Sequence, residues 1–242
     1  MGKSINKGDM DLTGENFVLD SSIAETANVI NFKGLQKSVL SKGILTRKDK
    51  EMILVAINAV KRYEHGMIYH TRQALDFGAK VEELIEVFEA CVISRGIGVW
   101  MEGKKAVEYA KEYKGIKELS PMNIKETVFK DVEECKSYLT EENGELPQWA
   151  ILMEKHNSEA LLFYSNLRVN SLNDGLVSKK FKEFILVGIN ASESYSHGLK
   201  VHMNVARKLG ASEQELAEVL LTGLLVSGGP AWIDGAKHLE SE

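Results

Sequence analysis

The residues with the most chemistry to offer occur twice at one spacing. Tyr63-Glu-His65-Gly66-Met-Ile-Tyr-His70 is followed 132 positions later by Tyr195-Ser-His197-Gly198-Leu-Lys-Val-His202, and four of the six histidines lie in these stretches. A glutamate precedes each tyrosine by twelve residues, which gives the sets Glu51, Tyr63, His70 and Glu183, Tyr195, His202. Carboxylate, phenol and imidazole are groups that relay protons, and a glycine beside them leaves room for a ligand. A repeat kept only for its fold needs its apolar positions and turns, so recurrence of these polar types points to a site.

The elements that must position these groups are helices. If the helix carrying His70 includes position 63, a seven-residue step returns Tyr63 to nearly the same face, with Gly66 one turn before His70. An antiparallel preceding helix then presents Glu51 to the same spot. His65 starts the helix, where the positive end of the macrodipole disfavours imidazolium, so a neutral, hydrogen-bonding imidazole is expected there and at His197. His65 lies roughly 140° around the helix from His70, which argues against a simple two-histidine metal site. A mixed histidine and glutamate metal site across two helices stays open.

Plainer readings stand beside these. Glu51 in an early turn could merely complement the dipole, His70 and His202 could be satisfied core histidines, and the tyrosines could be packing. Gly66 and Gly198 could simply allow close helix contact. Trp100 and Trp232 read better as core or subunit-interface residues than as substrate platforms. His156 and His238 lie outside the motif and carry no assignment.

Taken in order, residues 1–20 are polar and aperiodic, an expected flexible arm. Helical periodicity begins at Ile23 and stops at Ser41-Lys-Gly43. Thr46 is a candidate N-cap with Asp49 completing a capping box, followed by the nearly all-apolar Met52-Ile-Leu-Val-Ala-Ile57 of a central helix. Further helices are expected over about 65–77, 81–99 and 100–113, the last two separated by the glycines of Arg95-Gly-Ile-Gly98. A connector at 114–150, with Ser120-Pro121 and a short helix of its own, leads into a second cycle. Leu35 recurs as Leu167, Gly43 as Gly175, Asn58-Ala59 as Asn190-Ala191, Gly78 as Gly210 and Trp100 as Trp232, all at the same offset. The expected architecture is therefore an all-α bundle of two tandem repeats, 21–113 and 151–242, in a pseudo-twofold arrangement.

Composition narrows the partners. With a net charge of -5, 44% hydrophobic residues and interspersed charges, the chain shows neither a basic stripe for nucleic acid nor a polybasic segment for a membrane surface. The opening lacks an apolar core of signal-peptide length, and the longest apolar runs are short and broken by glycine, so a cytoplasmic location is expected. Cys91 and Cys135 are far apart without CxxC spacing, which indicates neither a disulfide framework nor a zinc knuckle.

Both repeats resemble the carboxymuconolactone decarboxylase and alkylhydroperoxidase AhpD-like superfamily. The resemblance rests on a helix with an early glutamate and a next helix of form H-x3-A-x3-G-A (His70, Ala74, Gly78, Ala79; His202, Ala206, Gly210, Ala211). Glu83-Leu84, Glu215-Leu216 and the Gly-Gly-Pro-Ala before Trp232 complete it. The peroxidase branch carries two cysteines where this chain has Tyr63 and Gly66, or Tyr195 and Gly198, and Gly223 stands opposite Cys91. Without those thiols a disulfide-reductase or peroxidase activity lacks its nucleophile and resolving partner.

The resemblance thus implies a decarboxylase-like acid–base enzyme, a lyase or isomerase without cofactor, acting on a small carboxylated lactone or keto acid. In that reading His70 and His202 move protons, Glu51 and Glu183 orient them, and Tyr63, His65, Tyr195 and His197 hydrogen-bond a developing enolate oxygen. The alternatives are a non-enzymatic ligand-binding or assembly protein and a thiol peroxidase using Cys91. Single-repeat relatives form trimers or hexamers, so the resemblance also implies a trimer of two-repeat chains.

Overall fold

The helix at the centre is started by a local device. The Thr46 hydroxyl accepts from the Asp49 N–H while the Asp49 carboxylate accepts from the Thr46 N–H, so the orphan amides of the first turn are satisfied reciprocally. From there α2 (Arg47–Val60) is buried at every position from Lys50 to Ala59, as an all-round apolar sequence requires. Its counterpart α9 (Lys179–Ser192), capped by Ser178, is buried from Lys182 to Ser192. The two pack against each other. A Cβ on Gly188 of α9 would stand 3.0 Å from Ile53 Cγ2, so the glycine sets how closely these helices approach.

The computed structural model describes residues 26–119 and 127–240. The expected arm, the start of the first helix at Ile23 and the Ser120-Pro121 break lie outside the described residues. In the first repeat α1 (Ala27–Ser41), α3 (Glu64–Asp76), α4 (Val81–Arg95) and α5 (Ile97–Lys114) accompany α2. In the second, α8 (Ser158–Leu172), α10 (Ser196–Lys208), α11 (Glu213–Ser227) and α12 (Gly229–Ala236) accompany α9, with α6 (Val132–Asn143) and α7 (Gln148–His156) between the repeats. The fold is all-α: among the described residues there are twelve helices and no strand. The boundary expected at 150 falls inside α7. None of the described helices is long and apolar enough to cross a membrane.

Each repeat reaches into the other through a buried ion pair. Lys50, 1% exposed, lies 3.0 Å from Glu218, and Lys182 lies 3.0 Å from Glu86. Glu218 also accepts from the Ile44 and Leu45 amides at 2.7 and 3.0 Å, and Glu86 from Leu176 and Val177 at 2.8 and 3.1 Å. Gly43, at φ +126°, and Gly175 pass against these carboxylates where a Cβ would collide. The recurring glycines are thus places where one repeat's loop wraps a glutamate of the other. Such a pair is held by added hydrogen bonds on both partners: Lys50 Nζ further donates to Val39 O at 2.8 Å and Lys42 O at 2.5 Å, and Lys182 Nζ to Asn173 O at 2.7 Å, which offsets the cost of burying the charges.

Candidate active site

The antiparallel pair α2 and α3 brings Glu51 and His70 together. His70 Nδ1 lies 2.6 Å from Glu51 Oε2, and Arg47 Nε donates to Glu51 Oε1 at 2.5 Å. Glu51 is fully buried and His70 is 8% exposed. A carboxylate held between a guanidinium and an imidazole takes a hydrogen bond from each, so the ring proton belongs on Nδ1 and the Nε2 lone pair is left as a base. Arg47 is steadied from its other side by the Phe77 ring, 5.0 Å away. The Tyr69 ring meets His70 edge-on at 5.0 Å, and burial, then the charge of Glu51, pushes its phenol above the usual value.

His70 faces a cavity of about 190 Å³ lined also by Asn58, Tyr63 and Gly66, with Phe32 and Gln36 from α1 and Leu225 and Val226 from α11. The site therefore takes walls from both repeats. The expected hollow at Gly66 is differently built: a Cβ there would strike Asn58 Oδ1 and come within 2.6 Å of the Tyr63 ring. The glycine admits those two side chains against α3, and the cavity borders the group they form.

Tyr63 reaches this place without belonging to the helix. Arg62 adopts a left-handed conformation, φ 54°, and the Tyr63 N–H donates to Asn58 O at 2.9 Å. That turn reverses the chain, so Tyr63 is the N-cap at φ -93°, ψ 83°, and α3 begins at Glu64. The seven-residue helical step to His70 is thus replaced by a turn that delivers the ring to the same cavity. Tyr63 and Tyr195 are each 50% exposed. His65 and His197 are not brought to the pairs. They are exposed in the first turn, with rings 6.4 and 6.2 Å from those of Tyr63 and Tyr195, because side chains on this face of the turn point away from α2 and α9.

The second repeat reproduces the pair: His202 Nδ1 lies 2.7 Å from Glu183 Oε2. Its surroundings differ. Lys179 stands where Arg47 stands in the first repeat, and its Nζ donates to Glu142 of α6 at 2.9 and 3.2 Å. The connector helix α6 closes over Glu183 with Tyr138 and Glu142, and with Arg168 of α8 and Lys208 of α10 these line a space of about 130 Å³. Asn190, 1% exposed, accepts from Arg95 NH2 of the first repeat at 3.3 Å.

Arg47, Asn58, Tyr69, Arg95 and the connector's Glu142 are the site features the sequence reading missed. Only Asn58 had a visible signal, its recurrence as Asn190. Arg47 lies one turn before Glu51 and becomes Lys179 in the second copy, while Tyr69 becomes Val201. Cys91 is fully buried, and burial pushes its thiol up to about 12, far from the low values of reactive thiols. Among the described residues no group of three or more His, Cys, Asp or Glu side chains is placed to hold a metal ion.

Comparison with known proteins adds a family. The sequence profile described as Carboxymuconolactone decarboxylase family matches residues 31–110 and 159–240, once in each repeat. An uncharacterized protein of Cupriavidus necator is 33% identical over 86 residues, spanning 36% of this chain and 76% of that protein. In shape the chain is similar to a crystal structure from Burkholderia xenovorans, a protein provisionally called a gamma-carboxymuconolactone decarboxylase subunit. The TM-score is 0.62 at 24% identity, over 87% of this chain and 84% of the other. At that identity the likeness speaks for the fold alone.

Proposed function

The chain belongs to the carboxymuconolactone decarboxylase family, and we propose that it works as a cofactor-independent acid–base enzyme, a lyase or isomerase acting on a small carboxylated lactone or keto acid. One observation carries this reading: a histidine whose Nδ1 is tied to a buried glutamate at 2.6 Å sits at the edge of a small cavity, and the pair recurs at 2.7 Å in the second repeat. In this reading His70 Nε2 takes a proton from the carbon next to a carbonyl, and the electron pair moves onto the carbonyl oxygen as an enolate. The imidazolium so formed is stabilised by Glu51, whose own orientation is held by Arg47. The proton then returns to another carbon; in the decarboxylating case the bond from the carbon next to the carbonyl to the carboxylate breaks instead, its electron pair forms the enolate, carbon dioxide leaves, and a proton carried by His70 goes to the carbon that held it. In this reading Tyr63 and Tyr195 hydrogen-bond the enolate oxygen.

A thiol peroxidase is disfavoured by the burial and raised pKa of Cys91. The trimer belongs to the same proposal: Ile97, Met101, Phe163 and Ile233 are exposed and offer apolar surface to a second copy, and light scattering at the mass of one chain would contradict it.

The test is a screen of small keto and lactone acids for turnover, followed by His70→Gln with His202→Gln. Loss of turnover with an unchanged far-UV spectrum and melting curve is the expected result. Undiminished turnover in the double variant overturns the assignment, and saturable binding without turnover by the native protein would favour a ligand-binding role.

A further inference from the structure

The two sites differ in the wall that the other repeat supplies. Around His70 that wall is Leu225 and Val226, followed by Ser227 at the end of α11. The same positions at the end of α4 are Ile93-Ser94-Arg95, and Arg95 reaches Asn190 of the second repeat. Arg95 is half-buried, and its guanidinium donates to Ser94 O at 2.9 Å, to Ser94 Oγ at 2.8 Å and to Asn190 Oδ1 at 3.3 Å. Among the described residues no carboxylate is paired with it. A guanidinium that is partly withdrawn from water and spends its bonds on neutral oxygens retains the charge and the forked donors that suit a carboxylate.

Asn190 shows the same surplus. Its counterpart Asn58 spends Nδ2 on Leu54 O at 2.8 Å, whereas Asn190 Nδ2 is buried without a hydrogen-bond partner. Asn190 lies against Gly198, where a Cβ would meet its Cγ at 3.2 Å, and Gly198 is one turn before His202. In the other repeat the serine at the position of Arg95 has its hydroxyl, Ser227 Oγ, buried and unpartnered, and the cation of the His70 site, Arg47, is spent on Glu51. A buried amide donor without an acceptor is costly, and such a group in a native structure calls for an explanation.

From this we infer that the second site holds a carboxylate more tightly than the first: Arg95, reaching across from the first repeat, and the Asn190 side-chain amide together bind a carboxylate of the ligand on the His202 side, a pair of donors that the His70 site lacks. The inference rests on reading the glutamate–histidine pairs as ligand sites, and it names the residues that favour a carboxylate at one of them. It also makes the two repeats mutually dependent, since the second site's anion-binding residue is encoded in the first.

The test uses the full chain with ¹⁵N-labelled histidine, assigned by His70→Gln and His202→Gln, and follows the ring signals during titration with levulinate and with its methyl ester. Levulinate should shift the His202 signals at concentrations well below those that move His70, and the ester should lose that preference for His202. Arg95→Gln should weaken levulinate at His202 by at least about tenfold, Arg95→Lys by less, and Ser227→Arg should strengthen the response at His70. Equal responses of the two histidines, equal binding of the ester, an unchanged affinity in Arg95→Gln, or no response of the native protein at millimolar levulinate would each overturn the inference. If Arg95→Gln fails to fold, Arg95→Lys and the ester comparison decide. Failure of the acid–base reading shows separately, as carboxylate binding intact with no turnover of any acid.

Discussion

Replacing Glu218 by alanine should unfold the protein at markedly lower urea, and the structure sets the size of the effect. Glu218 is 3% exposed and faces Lys50, itself 1% exposed, at 3.0 Å. Truncation leaves a buried ammonium without its counter-ion, a change that costs about 3–5 kcal/mol. It also removes the acceptor for the Ile44 and Leu45 amides, each of which is worth about 1–3 kcal/mol if left dry. Two features pull the total down: Lys50 keeps its carbonyl partners Val39 and Lys42, and Ile44 is 60% exposed, so water can reach its amide. A net loss of about 4 kcal/mol is expected, a large part of the roughly 5–15 kcal/mol of a whole domain.

The assay is equilibrium urea unfolding, read as a fall in midpoint at unchanged slope. Lys50→Met with Glu218→Leu should recover the ion-pair part and leave a deficit of about 1–3 kcal/mol from the Leu45 amide. Glu86→Ala should behave as Glu218→Ala does, because Lys182 and the Leu176 and Val177 amides repeat the arrangement. A loss below about 1 kcal/mol, or a double variant no better than the single one, would refute the claim that this clasp joins the repeats.

Acid should weaken the same clasp. Burial pushes the Glu218 carboxyl up, but the Ile44 amide, Gln214, Lys50 and the Leu45 amide outweigh it and hold the group below its ordinary value of 4.5; the Arg207 hydrogen bond lowers Glu213 likewise. A folded-state pKa below the unfolded one means stability that is present above about pH 4.5 and lost as pH falls through the folded value; melting temperatures that stay level from about pH 5 to 3 would contradict this. Cys91, with its thiol pushed up to about 12 by burial, should resist hydrogen peroxide and aromatic disulfides in the native state, and rapid labelling under non-denaturing conditions would count against its burial. Gly66→Ala places a Cβ against Asn58 and 2.6 Å from Tyr63 Cδ1, so it should cost about 1–3 kcal/mol through overpacking and lower turnover further by displacing Tyr63; a melt and activity equal to the native protein would sink that account.

What could be read from the residues alone was whatever is local or occurs twice. The Thr46–Asp49 capping box, the apolar run of α2 and the glycine breaks at Gly43, Gly78 and Gly96 depend on neighbours within a few positions, so composition and period disclose them. The duplication then singled out Glu51 with His70 and Glu183 with His202, because a spacing kept across 132 positions marks groups meeting in one environment. Tertiary structure decided the rest. Arg62 in the left-handed region took Tyr63 off the helix, a choice that periodicity does not register, and the same turn left His65 at the surface. Lys50 and Glu218, or Arg95 and Asn190, are separated by most of a repeat or more, and each recurs or differs in ways open to inspection, yet nothing in their spacing says which will touch. Their pairing follows from how two helical units are set face to face, and that placement arises from shape-matched packing of α2 on α9 rather than from any pattern along the chain.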